Sequence, residues 1–449
     1  MSISSVEKRR ALVTLFLVNL ALIFFVWWQG SSSLLLQQNP GSVLIALGRI
    51  TGLLAEYLLL LQLILIGRIR VIETAFAFDR MNQLHRWIGT YLVLLLVLHP
   101  ILLVLGYAQA NQLGLAAQFV QFLTGWEGVF LGFIGLIFFV ILTVLSLPII
   151  RQKLRYETWH ATHLGMYLAI ALIFDHQVQS GDVTRGSAFA YWFALNFLVF
   201  GLVLVYRVLR PLWLYRRHRF VIERVVQETP EVTSVYITGR DMRSFHFNAG
   251  QFAEMLFWQK GLRSWHPFSF SAPYNGTSLR FSMKQLGDFT NHSPELQPGT
   301  PVLIDGPLGL FIGGEATHKK FLLIAGGIGV TPIRSLMEEL LAQEKNVICL
   351  YACRDRSHVV FHDELQQLVD AAQERALYHV FLSATDTATI REPFHLGRVT
   401  REALTTSVPD IAERDVYICG PWVMVEGVIN DCLALGVKKS AIHFEKFQF

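Results

Sequence analysis

The chain has 449 residues, 53% hydrophobic and only 16% charged, with a mean hydropathy of +0.42. Soluble proteins carry about 25% charged residues, so a wholly soluble chain is excluded and part of this one lives in lipid. The formal charge of +4 is modest, and no nucleic-acid partner is expected. The four cysteines, Cys349, Cys353, Cys419 and Cys432, form no Cys-x-x-Cys or Cys-x-x-Cys-His pattern. That spacing excludes a zinc ribbon, a redox dithiol and a covalent c-type haem, and fits reduced thiols.

Lys8, Arg9 and Arg10 precede an apolar run, Ala11–Trp28, with no small-residue cleavage site after it. It reads as a first membrane span rather than a signal peptide. Further spans are expected at Val43–Ile66, Trp87–Gly106, Trp126–Leu147, Trp159–Val178 and Phe189–Leu209, each near the roughly 20 residues that cross a hydrocarbon core. The connections alternate in charge. One side holds Lys8, Arg9, Arg10, Arg68, Arg70, Arg80, Arg86, Arg151, Lys153, Arg155, Arg207, Arg210, Arg216, Arg217 and Arg219, and the other only Arg185. The positive-inside rule then puts both termini in the cytoplasm of a multi-pass protein of the plasma or inner membrane.

Two of these spans carry histidines at both ends. His85 and His99 are about 21 Å apart by helical rise, and His163 and His176 about 19.5 Å. Ionisable side chains are costly in a bilayer and usually line a site. Matched histidines at two depths suit two b-type haems, His85 with His163 at the inner level and His99 with His176 at the outer. Bis-histidine ligation fills both axial positions of each iron. Histidines that merely hydrogen-bond, or that relay protons in a transporter, are the alternatives. His160 is a second candidate for the inner ligand. His163 and His176 are about 3.6 turns apart and would not share a face of an ideal helix, so a local distortion is expected there. Arg49, roughly 10 Å below the outer surface, can pair with Glu56 or with a haem propionate, and the propionate is preferred. Glu56 is otherwise unassigned.

After Pro211 the pattern changes to short alternating strands such as Phe220–Val226, Thr233–Thr238 and Leu279–Lys284. From Phe321 strands alternate with helices, which reads as a parallel α/β sheet. The expected domains are 1–215, 216–316 and 317–449. Gly326, Gly327 and Gly329 follow a strand and open a helix, where backbone amides can approach a phosphate. Thr331 is expected to cap that helix and Pro332 to begin it. Arg354 and Arg356 follow the next strand and are candidates for a 2′-phosphate, favouring NADPH with NADH possible. A solvated loop is their bland reading.

His266-Pro267-Phe268-Ser269 resembles the flavin motif of the ferredoxin–NADP reductase superfamily. Gly250-Gln251-Phe252, Gly287-Asp288-Phe289-Thr290 and Asp305-Gly306-Pro307-Leu308-Gly309 resemble its accompanying segments, in order. Gly326–Pro332 and Cys419-Gly420-Pro421 resemble its nicotinamide-nucleotide motifs. Joined to paired histidines, the whole resembles the NADPH oxidase and ferric reductase family, down to the aromatic ending Phe444–Phe449. The resemblance implies a six-helix transmembrane haem-binding bundle, then an antiparallel β-barrel FAD domain and an α/β nucleotide-binding domain. It implies that His266, Pro267, Phe268 and Ser269 hold the isoalloxazine, with Ser269 bonding its reactive edge. Gly287 and Thr290 would meet the pyrophosphate of FAD. Gly327 and Gly329 would cradle NADPH beside Gly420 and Pro421, Cys419 would approach the nicotinamide, and Phe449 would cover the flavin. The expected acceptor is molecular oxygen, reduced to superoxide at the outer face with Arg49 stabilising the anion, because the outer connections hold few acids to collect cations. A ferric chelate is the alternative, and protein partners are not indicated. No calcium-binding loop pattern occurs.

Overall fold

Apolar helices make up the first unit of the chain, Met1–Leu209, and strands with flanking helices the second, Arg210–Phe449. The computed structural model describes residues 5–37, 39–76, 78–154, 156–179, 183–184, 186–315, 319–384 and 391–447. Phe449, Arg155, Arg185 and the domain boundary expected at 316/317 lie outside the described residues.

The first unit contains α1 (Ser5–Leu36), α2 (Pro40–Ile66), α3 (Arg70–Phe76), α4 (Phe78–Ala110), α5 (Leu115–Gly125), α6 (Val129–Leu145), α7 (Pro148–Arg151), α8 (Tyr156–Leu164), α9 (Met166–Gln179) and α10 (Gly186–Leu204). Asn39 caps α2 by accepting from the Gly41 amide, and Pro40 suits the first helical position. In α2, 61% of the apolar window is buried, against 6% in α1 and 11% in α4, so α2 lies inside the bundle. Outward-facing Leu94, Ile101, Phe130, Ile137, Leu168 and Phe197 are exposed, as a lipid-facing surface requires.

The expected six-helix bundle is not what forms. Among the described residues four helices are long and apolar enough to cross a membrane: Val6–Leu36, Pro40–Ile66, Arg80–Ala110 and Gly186–His218. A fifth is counted only if α5 and α6, bent by 109°, make one span. The expected span Trp159–Val178 divides at Gly165 into α8 of 9 residues and α9 of 14. Neither piece reaches the roughly 20 residues a crossing needs. The Gly165 amide donates to the Thr162 carbonyl at 2.9 Å, a tight turn of the i−3 type.

The second unit opens with α11 (Arg210–His218), followed by β1 (Val221–Thr229), β2 (Val232–Thr238), β3 (Phe252–Phe257), β4 (His266–Ser269), β5 (Leu279–Lys284), the short α12 (Asp288–Asn291) and β6 (Val302–Leu308). These strands form two three-stranded antiparallel sheets, β1-β2-β5 and β4-β3-β6. Phe220, Val235, Phe257, Phe270, Phe281 and Ile304 fill the core between them. The expected closed barrel is therefore corrected to two separate sheets. Among the described residues the isolated bridges Val221↔Pro301 and Phe270↔Phe281 are the bridges outside the named strands. A bulge between Ile222 and Arg224 bends β1, and β4 ends after four residues, so neither bridge extends into a ladder.

The remaining elements are β7 (Lys320–Gly326), α13 (Val330–Ala342), β8 (Asn346–Cys353), α14 (His362–Ala372), β9 (Ala376–Leu382), β10 (Phe394–Leu396), α15 (Arg401–Ser407), β11 (Asp415–Pro421), α16 (Trp422–Ala434) and β12 (Ile442–Phe447). They build a six-stranded parallel sheet of order β10-β9-β8-β7-β11-β12, as the alternating pattern predicts. Phe321–Gly326 is buried throughout, which is how a strand covered on both faces reads. Ile333 and Leu336 of α13 pack on one face, and Val425 and Val428 of α16 on the other. From β7 the chain runs outward to β8 on one side, while β11 lies on the other. That reversal places a crevice at the carboxyl ends of β7 and β11.

Candidate functional site

In the first unit α4 and the α8–α9 pair bring the four expected histidines into two pairs. The ring centres of His85 and His163 are 6.3 Å apart, and those of His99 and His176 are also 6.3 Å apart. An imidazole centre lies about 1.1 Å from its nitrogen, and a first-row metal–nitrogen bond is about 2.0 Å. Two rings on opposite sides of one metal thus have centres about 6.2 Å apart, and both pairs come close to that spacing. The break at Gly165 supplies the distortion that the spacing of His163 and His176 demands. His163, not His160, faces His85.

Hydrogen bonds fix the tautomers. His99 Nδ1 lies 2.7 Å from the Gly48 carbonyl, so Nδ1 carries the proton and Nε2 keeps its lone pair. Ser146 donates its hydroxyl proton to the Leu142 carbonyl at 2.9 Å, so it accepts from His163 Nδ1 at 3.0 Å. Both rings offer Nε2 as a ligand, held by the partner on the other nitrogen. Glycines make the room. A Cβ on Gly52 would lie 2.6 Å from the His99 ring, and one on Gly132 would lie 2.9 Å from His176 Nδ1. The signal missed in the sequence is the pair of small-x-x-x-small repeats, Gly48/Gly52 and Gly128/Gly132, which permit close helix approach in apolar segments.

A cavity of about 610 Å³ is lined by His99, His176, Arg49, Gly52, Glu56 and Trp126 among others, a size that suits a sizeable ligand. Arg49 reaches the Tyr107 hydroxyl at 3.4 Å and the Gly30 carbonyl at 3.5 Å. Glu56 accepts from Gln177 at 3.0 Å, and Gln177 accepts from the Trp192 indole at 3.1 Å. The second Glu56 oxygen is buried with no hydrogen-bond partner among the described residues, so the Arg49–Glu56 ion pair considered above does not form.

In the second unit β4 presents His266, Pro267, Phe268 and Ser269 along one strand. His266 stacks on Phe289 at 3.9 Å, and Phe268 lies 6.1 Å from the same ring. The Ser269 hydroxyl is buried with no hydrogen-bond partner among the described residues. A buried hydroxyl left so costs about 1–3 kcal/mol, so this atom awaits a polar ligand, as an isoalloxazine edge would provide. Gly287 precedes α12, and the Thr290 hydroxyl accepts from the Leu286 amide at 3.0 Å, which closes the turn. Asp305 is fully buried and paired to Arg210 at 2.5 Å, and Arg210 also donates to the Gly306 carbonyl at 2.7 Å. That clamp orders the Asp305–Gly309 segment.

At the crevice the glycines serve close packing of two strand ends. A Cβ on Gly329 would lie 2.2 Å from the Cys419 carbonyl oxygen, and one on Gly420 would lie 3.0 Å from Gly326 Cα. Gly327 has φ +53° and open space beside it, so its backbone is approachable. The helix starts earlier than expected. Gly329 stands at its N-cap, Pro332 occupies the third position, and Thr331 donates to the Ile328 carbonyl at 3.0 Å instead of capping. Cys419 is fully buried, and that burial, aided by the charge of Glu445, pushes its thiol well above the ordinary range. Pro421 follows at the exposed end of β11.

Arg354 and Arg356 follow β8 and are exposed. The Arg356 guanidinium lies 4.5 Å over the Phe394 ring. Asp355 accepts from Ser357 and His358, bonds that hold its carboxyl down at about 2.

Residues 51–174 match the family model described as Ferric reductase like transmembrane component, and residues 323–430 match the Oxidoreductase NAD-binding domain. Residues 51–174 thus resemble a ferric-reductase transmembrane component, and residues 323–430 resemble an NAD-binding oxidoreductase domain. Flavohemoprotein B of Dictyostelium discoideum is 29% identical over 252 residues, 51% of this chain and 58% of that protein. NADH oxidoreductase HCR of Escherichia coli K12 is 29% identical over 228 residues, 49% of this chain and 66% of that protein. The chain thus spans about three-fifths of the length of these curated relatives. The Flavohem-like FAD/NAD binding domain of nitric oxide dioxygenase from Vibrio cholerae is 26% identical, with a TM-score of 0.46 over 51% of this chain and 98% of that structure. The ferric-reductase-like match contains His85, His99 and His163 and ends two residues before His176, and the NAD-binding match contains every crevice glycine and both Arg354 and Arg356.

Proposed function

We propose that this chain moves electrons across a membrane, from NADPH through FAD and two bis-histidine haems to molecular oxygen on the far side. The observation that carries the proposal is the pair of 6.3 Å imidazole separations on one set of helices. A flavin supplies the conversion between a two-electron hydride donor and one-electron acceptors. Ser269 would hydrogen-bond its reactive edge, His266, Pro267 and Phe268 would hold its ring system, and Gly287 and Thr290 would lie along its pyrophosphate. Gly326, Gly327, Gly329 and Thr331 would position the nicotinamide nucleotide against Cys419, Gly420 and Pro421. In the buried crevice Cys419 acts as a neutral packing surface for the nicotinamide. The aromatic Phe449 would cover the flavin until nicotinamide displaces it. His85 with His163, and His99 with His176, would each hold one of the two irons through a ring nitrogen.

Arg49 lines the cavity beside His99 and His176, where its charge would stabilise an anion as it forms. One NADPH would reduce two oxygen molecules to two superoxide anions, releasing NADP⁺ and a proton. The family model that matches residues 51–174 is ferric-reductase-like, which supports a ferric chelate as the second reading. The excess of basic side chains on one set of connections supports a cytoplasmic nucleotide domain. Purified protein given NADPH and FAD in air should reduce cytochrome c in a superoxide-dismutase-sensitive manner, and Arg49→Ala should lower that rate about tenfold. Turnover only with added ferric chelate, and no superoxide, would decide for the ferric reading.

NADPH preference should depend on Arg354. Arg354→Ala should lower kcat/KM for NADPH about tenfold through loss of a charge-assisted contact and leave NADH unchanged. Steady-state flavin reduction with both nucleotides measures this; equal losses for the two would assign Arg354 to the solvated loop.

A further inference from the structure

Away from the nucleotide crevice, the edge of the parallel sheet gathers three ligating groups. His379 lies on β9, His395 on the edge strand β10, and Glu392 just before β10. His379 Nδ1 is 3.0 Å from His395 Nε2, and Glu392 Oε2 is 3.8 Å from the first and 3.7 Å from the second. All three distances join the same three atoms. The point equidistant from them lies about 2 Å from each, which is the bond length of zinc to histidine nitrogen and carboxylate oxygen.

The fold places these groups rather than chance side-chain swing. Parallel pairing sets Phe394 opposite Val380 and His395 opposite Phe381, and the Val380 amide donates to the Pro393 carbonyl at 2.8 Å. The His395 ring stacks on Phe381 at 5.1 Å and 25°, which fixes its plane. A simple hydrogen bond between the two imidazoles would explain their 3.0 Å approach. It would not explain why the carboxylate oxygen points at the same centre from beyond hydrogen-bonding reach.

We propose that His379, His395 and Glu392 form a binding site for a divalent transition-metal ion of the zinc class. Two imidazoles and one carboxylate suit zinc, whereas magnesium and calcium take oxygen ligands. Water fills the remaining position, because Glu392 lies at the exposed side of the cluster. The ion pins the three-residue β10 to β9 and closes the edge of the sheet. Thiols do not compete for it, since all four cysteines are buried.

The test uses the full chain in detergent, stripped with chelator and equilibrated with zinc at low micromolar free concentration. The protein should retain one more zinc per chain than either His379→Ala or His395→Ala. Zinc should raise its unfolding temperature by roughly 5 °C, a shift absent from both variants and absent with magnesium. NADPH-dependent flavin reduction without zinc should be the same in all three, which shows that the variants fold. Equal zinc content in wild type and variants, or an unfolding temperature that zinc raises equally in all three, would overturn the site.

Discussion

His99→Leu should leave one haem per chain instead of two and should abolish electron delivery to oxygen, while flavin reduction by NADPH stays within about twofold of wild type. Leucine fills much of the imidazole's volume and adds no charge, so the bundle keeps its packing. What disappears is the Nε2 ligand that the Gly48 carbonyl holds in place from the other nitrogen. The two histidines of α4 are 14 residues apart, about 21 Å of rise, so loss of the outer haem should interrupt the proposed path. The hydride half-reaction uses groups of the other unit and should not respond. Haem content by pyridine haemochrome and flavin bleaching by anaerobic stopped flow separate the two effects. Retention of two haems in the variant would remove His99 from the ligand set.

Gly329→Ala should lower kcat/KM for both nucleotides by roughly two orders of magnitude, the scale of a 1 Å misplacement of reacting groups. A methyl at Gly329 would sit 2.2 Å from the Cys419 carbonyl oxygen and 2.6 Å from its carbon. Both are backbone atoms of a buried strand and cannot swing aside. The variant must part the ends of β7 and β11, the two ends that form the crevice. Overpacking of this kind costs about 1–3 kcal/mol, so the domain should fold with a lowered melting temperature. Haem content should remain two per chain. An unchanged KM and kcat would mean that the crevice between β7 and β11 is not where the nucleotide binds.

The sequence carried the chemistry further than it carried the architecture. Paired histidines are legible because a charge-capable side chain in an apolar run is rare and its depth follows from helical rise. The glycine cluster is legible as a strand-to-helix turn, and the close packing of Gly329 on the Cys419 carbonyl shows why small residues are needed there. Hydropathy averages over some 20 residues, however, and cannot see a single break within them. Gly165 cuts the fifth apolar run into α8 and α9, and α5 lies in what composition alone reads as a connection. The same break resolves the misalignment of His163 and His176 that ideal helical geometry poses. Sheet closure was beyond reach for another reason: it depends on whether edge strands lengthen single bridges into ladders, and the bulge in β1 has no clear sequence mark. His379, Glu392 and His395 were passed over because their spacing matches no compact ligand motif. They meet only once β9 and β10 are in register.

The central claim is that electrons from the nucleotide pass to iron held by the two histidine pairs. Its most direct test is the absorbance of the purified full chain mixed anaerobically with NADPH. The account predicts two b-type haems per chain whose reduced bands grow after the flavin bleaches. Flavin bleaching in a protein that contains no haem, or haem bands that stay oxidised after the flavin is reduced, would contradict it.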